Sequence, residues 1–416
     1  MGYLKRSDLR NLMLSCKALH SSILNDNYIW KSNNFIVNNS LDNRSYCTLS
    51  GYHKCRISHN WCKGIYRSRV IVQHQVKYMP WLKYHNLKYL LLSVGHQLQC
   101  YSLPSHMSVD IGKCLWGIKV PTVIRWGVQT NDISRFVVKD DLIACGNRNG
   151  CASVYTVKHM KKKPRLLQYC KDCHKNGLVE ISALELITNS DTPYVVTASN
   201  VDQLVHFWPI EREDSPAYNI FETPPQVAQS VDLGEDVGGR CLAINYCQDR
   251  IAVGQRGNSM PVLVDVNTAQ KLWSVDSMRN RAELVRDIQW HDDNRVAFIN
   301  HRGSLHLLDT RTNKLSYESK DPMESSLYCL KTDGENAAIV GTSEYMRCAL
   351  FDLRKTKYVQ MYFTQKRSSP VYCLDFDSTK LITASDKGVS YLNFNIHVRR
   401  AVEHDNSKSC DFVKIP

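Results

Sequence analysis

Between about residue 130 and residue 395, short apolar runs alternate with polar turns in one repeated order. Each copy opens on two apolar residues three apart: Ile133/Phe136, Ile181/Leu184, Cys241/Ile244, Val285/Ile288, Leu327/Leu330 and Val371/Leu374. A polar turn follows, then an aliphatic run such as Leu142–Cys145 or Ala337–Gly341. A Gly/Asn/Asp turn leads to a third run such as Ala152–Val157 or Ala349–Leu353. Runs of this length between turn formers are strand-sized. Three strands every roughly 42 to 60 residues is the period of β-propeller blades. A blade cannot bury both of its faces alone, so such units must stack into a ring. Pro80–Leu103 repeats the rhythm with Trp81–Tyr84, Tyr89–Val94 and Gln97–Leu103, which predicts a seventh blade. The last copy stops near Phe394 one strand short. An open ring would leave a sheet edge exposed, so the alternating segment Ser68–Val76 is expected to supply the closing strand.

Third strands end on Phe207–Trp208, Val264–Asp265, Leu308–Asp309 and Phe351–Asp352, and Asp309-Thr-Arg311 and Asp352-Leu-Arg354 keep an Asp-x-Arg turn. This is the ending of WD-type blades in decayed form. The expected fold is therefore an all-β, WD-type propeller of seven blades over 68–395. Ahead of it lie a helical segment, 1–35, and a linker, 36–67; a polar tail, 396–416, is expected to be disordered.

The N-terminal segment has a different period. Leu9, Leu12, Cys16, Leu19 and Ile23 are spaced three, four, three and four apart, one stripe of an amphipathic helix with Ser7 as its N-cap. Asn25-Asp26-Asn27 breaks it, and Tyr28-Ile29-Trp30 adds an aromatic turn. One stripe and a tryptophan are too little core to fold alone, so this segment must pack on the propeller or on a partner.

The run SDLRNLMLSCKALHSSILNDNYIWK resembles the second half of an F-box, with its Asp-Leu start, Ser-Cys-Lys core and Asp-x-x-Ile-Trp end. Met79-Pro-Trp81, Ser326–Gly334 and Ser369–Leu374 resemble the dactylin family of F-box/WD-repeat proteins, and Ile57–Gly64 fits that family's linker. The likeness covers most of the chain and is weakest over 104–325. The family's opening Leu-Pro and first helix have no counterpart here, so the F-box match is truncated. The resemblance implies a non-catalytic substrate-recognition adaptor of a Skp1–cullin–F-box ubiquitin ligase. Leu9, Leu12, Cys16, Leu19, Ile23, Ile29 and Trp30 would then build or contact the Skp1 interface. The alternative is a WD-repeat scaffold outside ubiquitin chemistry.

Composition changes this picture little. The chain has 416 residues, a formal charge of +13 and no apolar run long enough to cross a membrane. Many of its 16 cysteines fall inside strand patterns and read as small buried hydrophobes. A reduced, cytoplasmic protein is expected, with the nucleus as a second compartment. The one tight basic cluster, Lys158–Arg165, reads as a solvated loop. Without an aromatic-basic stripe, nucleic acid is not an expected partner.

Cys170-Lys-Asp-Cys173-His174 has the spacing of a covalent haem site or half a zinc site. It lacks a second ligand pair and is expected to be a surface turn without metal. Asp292-Asp293 is expected to be a solvated turn, and no cofactor or catalytic motif is found. The better candidate is the mouth of the ring, where the inner strands begin. Asp132, Glu180, Arg240, Arg286, Tyr328 and Tyr372 stand at those starts, and Arg and Tyr are the residue types that carry interface hot spots. The expected ligands are protein substrates, acidic or phosphorylated.

Overall fold

In the computed structural model the described residues are all except 1–5, 27–28, 31–35, 38–49, 75–78, 104–112, 122, 124–130, 212–225, 236, 274–283, 366–367 and 397–416. The expected tail beyond Ile396 and the end of the closing segment, residues 75–76, fall outside them; Ile396 itself is buried, not part of a disordered tail. Seven four-stranded antiparallel sheets form the ring. Their innermost strands are Leu82–His85, Ile133–Lys139, Ala183–Ile187, Gly238–Ile244, Val285–Trp290, Leu327–Thr332 and Cys373–Phe376, here blades 1 to 7. The closing strand is Arg67–Gln73, which pairs antiparallel with Gly388–Asn393 at the rim of blade 7. The first strand of the propeller thus completes the last sheet, as expected from the missing fourth strand. No helix among the described residues is long and apolar enough to cross a membrane.

The core lies between blades. Leu91 and Trp116 of blade 1 pack with Phe136 and Tyr155 of blade 2, and Ala198 and Phe207 of blade 3 with Val253 and Val264 of blade 4. Close approach requires small residues at matching places. A Cβ on Gly254 would stand 2.7 Å from Val285 of the next blade, and one on Gly341 would stand 2.8 Å from Val371. Side chains of the inner strands also bond forward to the next blade's backbone. Ser182 Oγ donates to Gly239 O at 3.2 Å, Cys329 Sγ to Val371 O at 3.3 Å and Cys373 Sγ to Leu82 O at 3.4 Å.

The Cys170–His174 segment differs from expectation: Cys170, Cys173 and His174 are buried rather than on the surface. His174 is held by a hydrogen-bond chain. Its Nδ1 lies 3.0 Å from Asp202 Oδ2 and its Nε2 lies 3.0 Å from Thr197 Oγ1, to which Trp208 Nε1 donates at 2.9 Å. Buried polar groups need such partners, and this chain ties the loop entering blade 3 to its second and third strands. Between blades 5 and 6 a buried bidentate pair does similar work, with both Arg347 Nη atoms 2.7 Å from Asp321.

The expected single N-terminal helix is two, α1 (Arg6–Ser15) and α2 (Lys17–Asn25). Ser7 lies within the first turn of α1 instead of capping it. Cys16 is extended, and its Sγ accepts from Leu19 N at 3.4 Å as the cap of α2. The segment expected as a linker contains a third helix, α3 (Gly51–Lys63), ending at Gly64 in the left-handed region. One part of α3 packs Tyr52 and Cys55 against Leu9, Ile23 and Trp30. Another seats Ile57 and Trp61 among Tyr362, Leu392 and Phe394 of blades 6 and 7.

Trp61 is 0% exposed, stacks on Phe394 at 3.6 Å and donates from Nε1 to Ser378 O at 2.8 Å. Removing a buried tryptophan costs about 3–5 kcal/mol. Trp61→Ala is expected to lose about that much stability in a urea titration, because it opens the seam where helix, ring closure and blade 6 meet.

Candidate functional site

The inner strands of four blades each carry a β-bulge near the start, which puts one extra residue out of register. The displaced residues are Ser134, Arg240, Arg286 and Tyr328. A bulge re-aims the side chain it frees. All four, with Ser182 of blade 3 and Tyr372 of blade 7, line one narrow mouth of the channel, joined by Met79 and Trp81. The ring therefore presents residues from every blade at this end.

Five of the six expected mouth residues line this end: Glu180, Arg240, Arg286, Tyr328 and Tyr372. Asp132 does not. In blades 2 and 3 the lining positions are Ser134 and Ser182, two residues further on than Asp132 and Glu180. The long Glu180 side chain still reaches in, but Asp132 stays outside beside Gly95. Burial raises the Asp132 carboxyl above its ordinary range, against the pull of Arg148 and His96.

The mouth is cationic, with Arg135, Arg148, Arg240 and Arg286 facing one lining carboxylate, Glu180. Glu180 accepts from Arg148 Nη1 at 2.7 Å and sits 3.8 Å from Arg240. Arg286 lies over the Tyr328 ring at 4.2 Å, and Tyr328 meets Tyr372 edge-on at 5.5 Å. Burial, then Arg286 and Arg135, push the Arg240 guanidinium down to about 10, so it stays charged at neutral pH. Crowded guanidinium groups that share one carboxylate have charge left over for an anionic partner.

Below the mouth the channel is bolted across. Arg135 of blade 2 reaches Asp287 of blade 5, which is not its neighbour in the ring, at 3.4 Å. Its guanidinium lies over Trp81 at 3.9 Å, and Asp287 also accepts from Leu330 N at 2.9 Å. Arg135 and Trp81 border both this mouth and a larger cavity beyond. The sequence reading missed Arg135 and Arg148. Arg135 was signalled by its place two residues after Ile133, whereas Arg148 stands in the turn between the second and third strands of blade 2, where no strand pattern marks it.

The expected Skp1-interface residues divide by burial. Leu9, Ile23 and Trp30 are buried in the core shared with α3, and Trp30 Nε1 donates to Ile23 O at 2.8 Å. Leu12, Leu19 and Ile29 are half-buried around that core, while Cys16 is exposed.

A seven-bladed ring with these blade endings is a WD-type β-propeller, here with a cationic mouth and attached helices. No family model matches the chain. It is similar to F-box/WD repeat-containing protein 4 of Mus musculus and of Homo sapiens, at 22% identity over 355 residues in each case. The alignments cover 83% of this chain and 76% of either relative. The chain is thus a distant but consistent match to that family, and a protein-interaction scaffold by fold and kinship.

Breaking a buried ion pair by removing one partner costs about 3–5 kcal/mol. Asp287→Ala is expected near the lower figure, since the Arg135 contact is long, and to lower the melting temperature. The double change Arg135→Met with Asp287→Leu should recover most of the loss, because it strands no charge.

Proposed function

We propose that this protein is the substrate-recognition adaptor of a Skp1–cullin–F-box ubiquitin ligase, working by proximity rather than chemistry. Its helical appendage docks on Skp1, and its arginine-lined mouth holds acceptor proteins through acidic or phosphorylated segments. The observation that carries this reading is the rigid seat of the appendage. Helix α3 is shared between the α1–α2 core and the seam of blades 6 and 7. A propeller that must present a substrate at a fixed distance from a ligase needs such a stiff joint. The outer side of α1 and α2 remains available, with Leu14 70% exposed, Cys16 exposed and Leu19 half-buried. Kinship with a protein named for its F-box and WD repeats points the same way. Such an adaptor would act in the cytoplasm or nucleus.

A second reading, a WD scaffold outside ubiquitin chemistry, is favoured by one observation. Leu9, Ile23 and Trp30 are already spent on the chain's own core, which leaves less apolar surface for a partner.

A pulldown with purified Skp1 separates the two. Capture is expected, weakened at least tenfold by Leu14→Asp while the melting temperature holds. Absence of capture favours the scaffold. On the substrate side, Arg240→Ala and Arg286→Ala should each lower affinity for acidic or phosphorylated peptides about tenfold, equivalent to about 1.4 kcal/mol. Unchanged peptide binding would remove the mouth from the reading.

A further inference from the structure

Blade 3 carries a second histidine beside the buried His174. His206 stands on the third strand, Leu204–Pro209, with its ring centroid 4.9 Å from that of His174. Asp202, in the turn before that strand, completes a set of three. One nitrogen of each imidazole and one carboxylate oxygen lie within 4.8 Å of one another. His174 and Asp202 are buried, while His206 is half-buried and leaves a way in from solvent. Two histidines and a carboxylate suit a borderline divalent cation such as Zn2+, which in open sites takes three protein ligands and keeps a fourth position free.

Each of the three is held from behind. His174 Nε2 lies 3.0 Å from Thr197 Oγ1, and His206 Nδ1 lies 2.8 Å from Ser230 Oγ. Asp202 Oδ1 accepts from Leu204 N at 3.3 Å. Metal-binding imidazoles are fixed in this way, by a partner on the second ring nitrogen. His174 Nδ1 and Asp202 Oδ2 are 3.0 Å apart, a contact that a shared proton bridges when no ion is bound. A cation can take the place of that proton. The imidazole then changes tautomer, its proton passing from Nδ1 to Nε2. Thr197 Oγ1 accepts it on the lone pair that Trp208 Nε1 does not use.

The loop that delivers His174 is strained. Asp172, Lys175 and Asn176 have φ of 56°, 42° and 54°, in the left-handed region, and Gly177 follows at 74°. Strain of this kind persists where the surroundings over-determine the backbone, and it gathers at ligand sites.

We propose that blade 3 holds a site for a divalent transition-metal ion of the zinc class, ligated by His174 through Nδ1, Asp202 through Oδ2 and His206. A tetrahedral ion with bonds of about 2.0–2.1 Å sets its ligands about 3.3 Å apart, so binding draws His206, the least buried of the three, inward. The ion staples the loop entering blade 3 to the blade's third strand, and that loop runs on to Glu180 at the mouth. Cys170 and Cys173 take no part, being packed in the apolar core between blades 2 and 3. The Cys-x-x-Cys-His spacing therefore marks the histidine of a site whose other ligands come from further along blade 3. The proposal does not depend on the ligase reading.

The test uses the full chain, without an affinity tag and stripped by a chelator, titrated with Co2+ or Zn2+ alone. One Co2+ per chain is expected to bind at micromolar concentration. Its spectrum should show weak visible ligand-field bands and lack the intense near-ultraviolet band of a thiolate ligand. Zn2+ should displace it and raise the melting temperature. His206→Asn should weaken Zn2+ binding more than about a hundredfold and abolish that rise. Ser230→Ala, at an exposed position, should weaken binding about tenfold, and it decides the matter if His206→Asn does not fold. No binding at millimolar Zn2+, a thiolate band with Co2+, or an affinity that these substitutions leave unchanged would each overturn the proposal.

Discussion

Seven twisted sheets in a ring have to meet somewhere, and they meet where Arg67–Gln73 pairs with Gly388–Asn393. That pairing joins the start of the propeller to its end across more than 300 residues of chain, and each inter-blade core is held in place by the ring being shut. It also decides where the appendage can sit. Helix α3 ends at Gly64, just before the closing strand begins. The helix is thereby delivered onto blades 6 and 7, where Trp61 meets Phe394 and Tyr362 accepts no freedom of its own, its hydroxyl donating to Trp61 O at 2.7 Å. Ring closure and appendage docking are one seam, so loosening either loosens both.

The mouth follows from a second geometric constraint. Inner strands run in towards the axis and crowd there, and a bulge at the start of a strand relieves the crowding while turning one residue into the opening. Arg240, Arg286 and Tyr328 gain their positions this way. Four guanidinium groups could not stand so close without relief. Glu180 supplies part of it, and the faces of Tyr328 and Trp81 supply the rest through cation–π contacts. The mouth is thus a stabilised excess of positive charge held on strands, a more rigid base than loops.

Much of this was legible in the sequence, for physical reasons. Inner strands are buried on both faces and show as unbroken apolar runs, as in Ala337–Thr342, so three strands per blade and the blade count could be read directly. The outer strands could not. Lys314–Lys320 buries only Tyr317 and Ser319, and a rim strand with so little apolar content looks like a loop. Five of the six mouth residues were found because strand starts can be counted; Asp132 was misplaced because a bulge shifts the count. The break at Cys16 was invisible for the same kind of reason. The apolar spacing runs on through it, and only the backbone turning extended there ends one helix and caps the next. The burial of His174 was missed because its partners, Asp202 and Thr197, are more than twenty residues away in sequence.

The charges along the channel are distributed unevenly. By pairing Arg135 with Asp287 across the lumen, the bolt takes one cation out of the lower cavity's balance. Lys83 and Lys331 are neutralised in part by Asp375, where burial alone would raise the carboxyl but the two ammonium groups more than offset it. Glu185 faces Lys139 of the neighbouring blade, whose charge opposes the effect of burial on its carboxyl, whereas at the mouth four arginines share one carboxylate. The same few ion pairs that hold the ring's centre together therefore leave the positive excess at the mouth.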